Sequence, residues 1–319
     1  MPPAPGPEAP TLAAAGESAV HEHLSGRGLC LSLGAVTLRV VSPSPSLATQ
    51  IAQVYAHFPL EGRPAFADLH VRIEPPTSPR RWVRPQLVMR CDGQQHFHRF
   101  DADSGLPLME WGTNWLIGER LHHLLLFHSA CLERDGSALL MPAVPGSGKS
   151  TLCAALAHRG WRLLSDEFGV CLPESGRMIA MLKPIALKNT SIDVIREYAP
   201  EAELGPLFPK TRKGTVAHMA APPQAVRHRH ETAAPGLVVL PRWREVGGTT
   251  IEPLTPDEMF RSLAFNSFNY AVLGATGFNA VIALVRASRG YRLEYTDLDD
   301  AVRTLEGLWH ERPAVEGPA

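Results

Sequence analysis

One stretch in the middle of the chain has the residue types and spacing of a phosphate-binding loop. Residues 143–150, Ala-Val-Pro-Gly-Ser-Gly-Lys-Ser, follow an apolar stretch and precede an Ala- and Leu-rich one. The glycines let backbone N–H groups close around a phosphate, Lys149 reaches the outer phosphates, and the Ser150 hydroxyl is a magnesium ligand. The residues that we expect to bind nucleotide phosphates are Val144, Pro145, Gly146, Ser147, Gly148, Lys149, Ser150 and Thr151.

Two adjacent carboxylates follow this loop closely. Asp166 and Glu167 end the apolar stretch 161–165, and Asp166 lies 17 residues after Lys149. One carboxylate at such a place can hold magnesium, and a second can act as a general base. The alternative is an acidic turn between two surface strands. The phosphate loop just upstream favours the catalytic interpretation.

Basic residues lie on both sides of these groups in the sequence. His128 precedes the loop at the start of a predicted strand, where it is either close to the terminal phosphate or a buried core histidine. Lys188 follows the carboxylates, and Arg212 and Lys213 belong to a Pro-rich stretch. Phosphoryl transfer needs cations at the developing charge, and mobile loops often supply them. The alternative for these residues is a solvated basic loop.

The order of the motifs excludes two common classes of phosphate-loop protein. Transporter-type ATPases place the acidic strand far downstream, after an LSGGQ-type signature, and this chain has no such signature. GTPases recognise their base through an N-K-x-D motif, which is also absent.

The elements that would position these groups divide the chain into four predicted parts. Stretches 28–41 and 86–100 alternate as hairpins, and Ser44 caps a helix that opens at Pro45. From residue 111 a helical pattern runs to 127, after which strands and helices alternate, as in an α/β domain. Residues 206–223 are predicted to be a loop with a short strand inside it. The predicted parts are a disordered extension (1–26), a small α+β region (27–110), an α/β phosphate-loop domain (111–310) and a disordered tail (311–319).

These motifs together resemble one family. A His-Ser-Ala strand, a phosphate loop, a helix ending in Arg-Gly and a strand ending in paired carboxylates are similar to the HPr serine kinase/phosphorylase fold, itself similar to the nucleotide domain of phosphoenolpyruvate carboxykinases. The stretches LKPIALKNTSIDVI, TRKGTVAHM and FNSFNY resemble the HPr-kinase-related proteins called HprK-related kinase A, so the resemblance spans about residues 28–310.

The resemblance implies an ATP- and Mg²⁺-dependent kinase acting on a serine hydroxyl of a protein or peptide. Asp166 matches the base, Glu167 with Ser150 would hold Mg²⁺, and His128 would lie near the γ-phosphate. A homo-oligomer is also implied, because HPr kinases form hexamers. The chain departs from the family at Glu167, where the family has Asp, and at Thr151, where Glu is common. It also lacks the family's glycine-rich signature and long N-terminal domain, so HPr itself and phosphorolysis do not carry over.

Two alternative functions stay open at this point. One is a small-molecule phosphotransferase with the carboxykinase-like fold, and the other is a nucleotide-binding sensor without catalysis. The proposed catalytic set is Asp166, His128, Lys149, Arg212 and Lys213.

Composition restricts the remaining classes. The chain has 31 basic and 32 acidic residues, so nothing in its charge favours nucleic acid or an anionic membrane as a partner. Its 5 cysteines are widely spaced and form no C-x-x-C pair, which predicts reduced thiols in a cytosol. The first residues lack a basic segment followed by an apolar one, and we expect no signal peptide, no membrane span and a cytoplasmic location.

Overall fold

A computed structural model describes residues 9–61, 66–144 and 146–311, without the side chains of Arg80, Arg81 and Lys210. It is a mixed α/β structure with three sheets, which contain both parallel and antiparallel pairs. Among the described residues, the helices are α1 (Leu12–Ser25), α2 (Pro45–Val54), α3 (Gly105–Arg120), α4 (Lys149–His158), α5 (Thr190–Tyr198), α6 (Pro223–Arg227), α7 (Pro256–Phe265), α8 (Tyr270–Leu273), α9 (Ala275–Ala287) and α10 (Leu298–His310).

The first sheet, here the N-terminal sheet, contacts α1 and α3, and α2 packs against those two helices. Its neighbouring strands are in the order β1-β2-β3-β4-β5, and β6 pairs with β4. Buried and exposed residues alternate along β3, because successive side chains of a strand point to opposite faces of the sheet and one face is buried. The bounds are β1 (Leu29–Ser32), β2 (Thr37–Val41), β3 (Leu69–Glu74), β4 (Gln86–Cys91), β5 (Gln94–Gln95) and β6 (Phe100–Asp101).

The second sheet, here the central sheet, carries the glycine-rich loop. Its order is β11-β10-β7-β8-β15-β17-β16, with β9 also paired to β7. The neighbours β8, β15 and β17 run parallel, whereas β7, β9, β10 and β11 add antiparallel pairs. The bounds are β7 (Leu125–Arg134), β8 (Ser137–Pro142), β9 (Arg162–Ser165), β10 (Phe168–Cys171), β11 (Met178–Ile179), β15 (Ala234–Trp243), β16 (Thr250–Pro253) and β17 (Arg289–Tyr295).

The third sheet has three strands. It has the order β12-β14-β13, and its strands are β12 (Ile185–Lys188), β13 (Phe208–Thr211) and β14 (Gly214–Met219). The predicted loop over 206–223 is therefore wrong in part, because β13 and β14 form a hairpin there. Val216, Ala217 and Met219 are buried in this hairpin. Four prolines obscured the apolar pattern: Pro206 before the hairpin, Pro209 within β13, and Pro222 and Pro223 after it.

The prediction of disorder over 1–26 is wrong for α1. Leu12, Val20 and Leu24 are fully buried against the rest of the core, and the Thr11 side chain caps the helix by accepting from the Ala14 N–H. Alanine is the strongest helix former, so the Ala-rich composition fits this helix as well as it fits a flexible extension. Disorder predicted for 1–8 and 312–319 lies outside the described residues.

Two other boundaries also differ from the prediction. Helix α3 crosses the predicted division between 110 and 111, so the two parts share a continuous helix. The helix predicted over 111–127 ends at Arg120, and Leu125, Leu126 and Phe127 belong to β7. A short, fully apolar run cannot be assigned to helix or strand by periodicity alone. The predicted hairpins, the helix capped by Ser44 and the strand–loop–helix order around residue 145 are confirmed.

Candidate active site

The glycine-rich loop leaves β8 and enters α4 at the carboxyl end of the parallel strands. Gly146 and Gly148 both have a φ of 85°, in the left-handed region that favours glycine. Gly148 is the N-cap of α4 and has no side chain to cap the first turn, so backbone N–H groups there are available to an anion. Lys149 is the first residue of the helix, as predicted.

Two neighbouring strands hold this loop in place. The Trp243 N–H at the end of β15 donates to the Ser147 carbonyl over 2.9 Å, and the Tyr295 hydroxyl at the end of β17 donates to the Gly148 carbonyl over 3.2 Å. A Cβ atom on Gly148 would lie 2.4 Å from the Tyr295 hydroxyl oxygen and 2.9 Å from the Trp243 Cβ. Position 148 therefore requires glycine for space as well as for φ.

Lys149 connects the loop with the carboxylates. Its side chain is buried, its Nζ lies 3.5 Å from Asp166 Oδ1, and it also donates to the Asp166 carbonyl oxygen. Burial alone would lower the pKa of this ammonium, but the charges of Asp166 and Glu167 outweigh burial and raise the pKa above its ordinary value. Lys149 is therefore a fixed cation at the start of α4.

Asp166 is a buried carboxylate that has few partners. It is 3% exposed, and neither carboxylate oxygen accepts a hydrogen bond from the residues that the structure describes. Within the described part of the chain, its ion pair is the contact with Lys149. Because buried polar groups are almost always hydrogen-bonded, unsatisfied oxygens beside a lysine indicate a place for a ligand that is a cation or a hydrogen-bond donor.

Glu167 lies between basic side chains. Its carboxylate oxygens lie 3.7 Å from His128 Nε2 and 4.0 Å from Lys188 Nζ. Burial alone would raise the pKa of Glu167, but the polar contact with His128 and the charges of Lys149 and Lys188 together hold this pKa well below its ordinary value. Glu167 is therefore ionised at neutral pH.

Strand β7 explains how residues 40 positions apart in sequence meet. His128 is opposite Phe168 in the β7–β10 pair, and Cys131 is opposite Ser165 in the β7–β9 pair. The turn that carries Asp166 and Glu167 is therefore bracketed by two strands that both pair with β7. His128 lies in the middle of β7 rather than at its start, because the apolar residues before it belong to the strand.

The segment that follows α7, residues 266–269, packs against His128. The His128 N–H donates to the Asn266 carbonyl over 2.6 Å, and the Phe268 ring centroid lies 5.9 Å from the imidazole centroid. Asn269 is buried and fixes the segment, since its side chain accepts from the Leu126 N–H and donates to the Leu124 carbonyl.

The structure brings most predicted site residues together, but Arg212 and Lys213 do not reach the carboxylates. Both are exposed at the tip of the β13–β14 hairpin, and Lys213 Nζ lies 6.0 Å from the Trp111 ring centroid. No hydrogen bond or ion pair joins them to the loop or the carboxylates within the described ranges. Asn189, next to Lys188, holds the tip by accepting from the Thr215 N–H and donating to the Lys213 carbonyl.

The other predicted residues belong to the loop itself. Val144 is exposed, and the buried Ser147 hydroxyl has no hydrogen-bond partner among the described residues. Ser150 and Thr151 are half-buried in the first turn of α4. Pro145 lies outside the described residues. Sequence reasoning missed Trp243 and Tyr295, although each is the last residue of a strand in the α/β pattern.

No protein-family model and no curated protein matches this chain. One solved structure that it resembles is the HPr(Ser) kinase/phosphatase from Coxiella burnetii, at 11% sequence identity and a TM-score of 0.26. The match covers 58% of this chain and 98% of that chain. At this TM-score the likeness does not establish a shared fold.

Two features of the described residues concern the membrane and the metal ion. No helix in those ranges is both long and apolar enough to span a membrane. No group of three or more His, Cys, Asp and Glu side chains in the same ranges is arranged to hold a metal ion by itself.

Proposed function

We propose that the protein is a kinase that transfers the γ-phosphate of ATP to a serine hydroxyl of a protein or peptide, with Mg²⁺. The observation that supports this proposal most is the buried Asp166 carboxylate, which lies beside the Lys149 ammonium and accepts no hydrogen bond from the described residues. A carboxylate with unsatisfied oxygens close to the start of α4 is suited to accept a proton from a hydroxyl.

In this proposal the loop and Lys149 bind the phosphates. The N–H groups at the start of α4 face the anion, and the raised pKa of Lys149 keeps its ammonium charged throughout the neutral range. Trp243 and Tyr295 hold the loop carbonyls, so the N–H groups are oriented before the nucleotide binds.

The donor atoms at the site fit magnesium. Glu167 and the Ser150 hydroxyl offer oxygen ligands, which magnesium prefers, and a site with one carboxylate is normally completed by phosphate oxygens and water. When bound, magnesium supplies positive charge to the β- and γ-phosphate oxygens.

The transfer needs a base that accepts the serine proton and cations that offset the negative charge on the phosphates. The serine oxygen forms a bond to the γ-phosphorus, the bond from that phosphorus to the β–γ bridging oxygen breaks, and the serine proton passes to Asp166. Lys149 and Lys188 stay next to the carboxylates, whose charges they balance, and the polar contact with His128 keeps Glu167 ionised and in place. Arg212 and Lys213 are proposed to add charge from the hairpin tip.

The test compares Asp166→Asn with wild type and with Asp193→Asn, a matched control whose side chain is 81% exposed on α5. Each purified protein is incubated with γ-labelled ATP and a lysate of its source cell, followed by identification of labelled amino acids. We expect phosphoserine with wild type and the control, and a loss of about 100-fold or more with Asp166→Asn.

Other outcomes would point to other functions. An unchanged rate in Asp166→Asn would refute the proposed base. Label on free serine or a carboxylic acid without a protein acceptor would indicate a small-molecule phosphotransferase. ATP binding that is lost in Lys149→Ala, without transfer by wild type to any acceptor, would indicate a nucleotide sensor.

A further inference from the structure

Trp243 is a large aromatic side chain that is half exposed directly beside the glycine-rich loop. It is the last residue of β15, and 49% of its surface is accessible. We propose that the Trp243 indole is the stacking platform for the base of the nucleotide that binds at this loop. The inference rests on the proposed function, because it needs a nucleotide at the loop.

The backbone and ring of Trp243 are already fixed. Its N–H donates to the Ser147 carbonyl over 2.9 Å, and its indole Nε1 donates to the Thr296 carbonyl over 3.3 Å. The indole donor is therefore satisfied, and the exposed remainder of the side chain is apolar ring. A ring held in this way loses little conformational entropy when a planar ligand packs on it.

The strand order gives the direction of the nucleotide. β8, which delivers the loop, lies between β7 and β15. His128 and the turn with Asp166 and Glu167 lie on the β7 side, where the γ-phosphate must be for transfer. A nucleoside triphosphate with its γ-phosphate at these carboxylates extends its base toward the β15 side, where Trp243 lies.

Register places the indole on the same side of the sheet as the loop. Trp243 pairs with Tyr295 in the parallel β15–β17 ladder, and directly paired residues face the same side. The Tyr295 hydroxyl reaches the Gly148 carbonyl, and the Trp243 Cβ approaches the same glycine. Both side chains therefore face the start of α4.

Neighbouring residues do not offer an equivalent contact. Arg242 and Arg244, on either side of the tryptophan, both pair with Glu294, at 3.8 Å and 2.8 Å, and neither carries an aromatic ring. The exposed Phe265 and Phe268 flank the segment against His128, on the γ-phosphate side. Since every base has a π-face, stacking on Trp243 supplies affinity for the nucleoside without selecting adenine over guanine.

The experiment separates the base from the phosphates by using two ligands. Calorimetry measures the Kd of ATP and of inorganic tripolyphosphate, each with Mg²⁺, for wild type, Trp243→Ala and Trp243→Phe. The control is Trp82→Ala, at a tryptophan that is 78% exposed in the N-terminal part. We expect Trp243→Ala to raise the Kd of ATP by about 5- to 100-fold, as removal of a stacking partner does, and to change that of tripolyphosphate less than about twofold.

Trp243→Phe should stay within about threefold of wild type for ATP, because an aromatic ring remains. An unchanged ATP affinity in Trp243→Ala would overturn the inference and leave the proposed function standing. Equal weakening of both ligands would also overturn it, since Trp243 would then only support the loop. Wild type that binds neither ligand would overturn the proposed function and this inference with it.

Discussion

A buried ion pair between α3 and the segment before β12 allows a quantitative prediction about what joins the N-terminal part to the rest of the chain. Lys183 Nζ lies 3.0 Å from Glu110 Oε2 and also donates to the Asn114 side chain, while the Tyr55 hydroxyl donates to Glu110 Oε1 over 2.7 Å. Both charged side chains are nearly inaccessible. Replacing Lys183 by Met leaves the Glu110 carboxylate buried with one neutral donor, and breaking such a pair costs about 3–5 kcal/mol.

Urea unfolding at pH 7, followed by tryptophan fluorescence and far-UV circular dichroism, measures this loss for Lys183→Met. Tyr55→Phe removes a single hydrogen bond to a charged group and should cost about 1.5–3 kcal/mol. The triple variant Tyr55→Phe, Glu110→Leu, Lys183→Met removes the charges together and should cost much less than the sum of the single changes. A Lys183→Met protein within about 0.5 kcal/mol of wild type, or an additive triple variant, would refute the reasoning.

Three further predictions concern residues around the candidate site. Burial lowers the pKa of His218 from 6.5 to about 4. The stability that comes from keeping this imidazole neutral is therefore complete above pH 6.5 and is lost as the pH falls toward 4. In urea titrations between about pH 7 and 5, the free energy of unfolding of His218→Leu should depend less steeply on pH than that of wild type. Gly148→Ala should abolish ATP binding in calorimetry because its Cβ meets Tyr295, whereas Gly146→Ala, with open space but the same φ, should lose only about 1–2 kcal/mol of stability. Asn269→Ala should lower the free energy of unfolding by about 3 kcal/mol, because the buried Leu126 N–H and its neighbouring carbonyls lose their partner; an unchanged urea midpoint would contradict this.

Local signals made the centre of the fold predictable. The glycine spacing, the apolar run before the loop and the Ser44 cap each specify structure within a few residues, and strand, loop and helix follow in the expected order. The pair Asp166-Glu167 was predictable because it ends an apolar strand. Its contact with His128 depends on the register of β10 against β7, which no short motif encodes.

The remaining features depend on packing between distant segments. α1 forms because Leu12, Val20 and Leu24 find a core to enter, and an Ala-rich sequence alone does not reveal that core. The β13–β14 hairpin forms against β12, whose own sequence lies about 20 residues upstream. Trp243 meets the loop only because β15 lies beside β8, so its position follows from topology and not from a motif.

Charge at the candidate site links the proposed function to the hairpin tip. Lys149 and Lys188 balance Asp166 and Glu167, so the described carboxylates and lysines leave no surplus positive charge for a triphosphate. Fixed N–H groups at α4 compensate part of a bound anion's charge, and the remainder has to come from magnesium and from cations that approach after binding. The exposed Arg212 and Lys213 are suited to supply the late-arriving cations. Asn189, which follows Lys188, hydrogen-bonds to the backbone of their turn and leaves both side chains in solvent. In the proposed function, this position of the hairpin tip lets a protein or peptide acceptor enter before the positive charge of the site is complete.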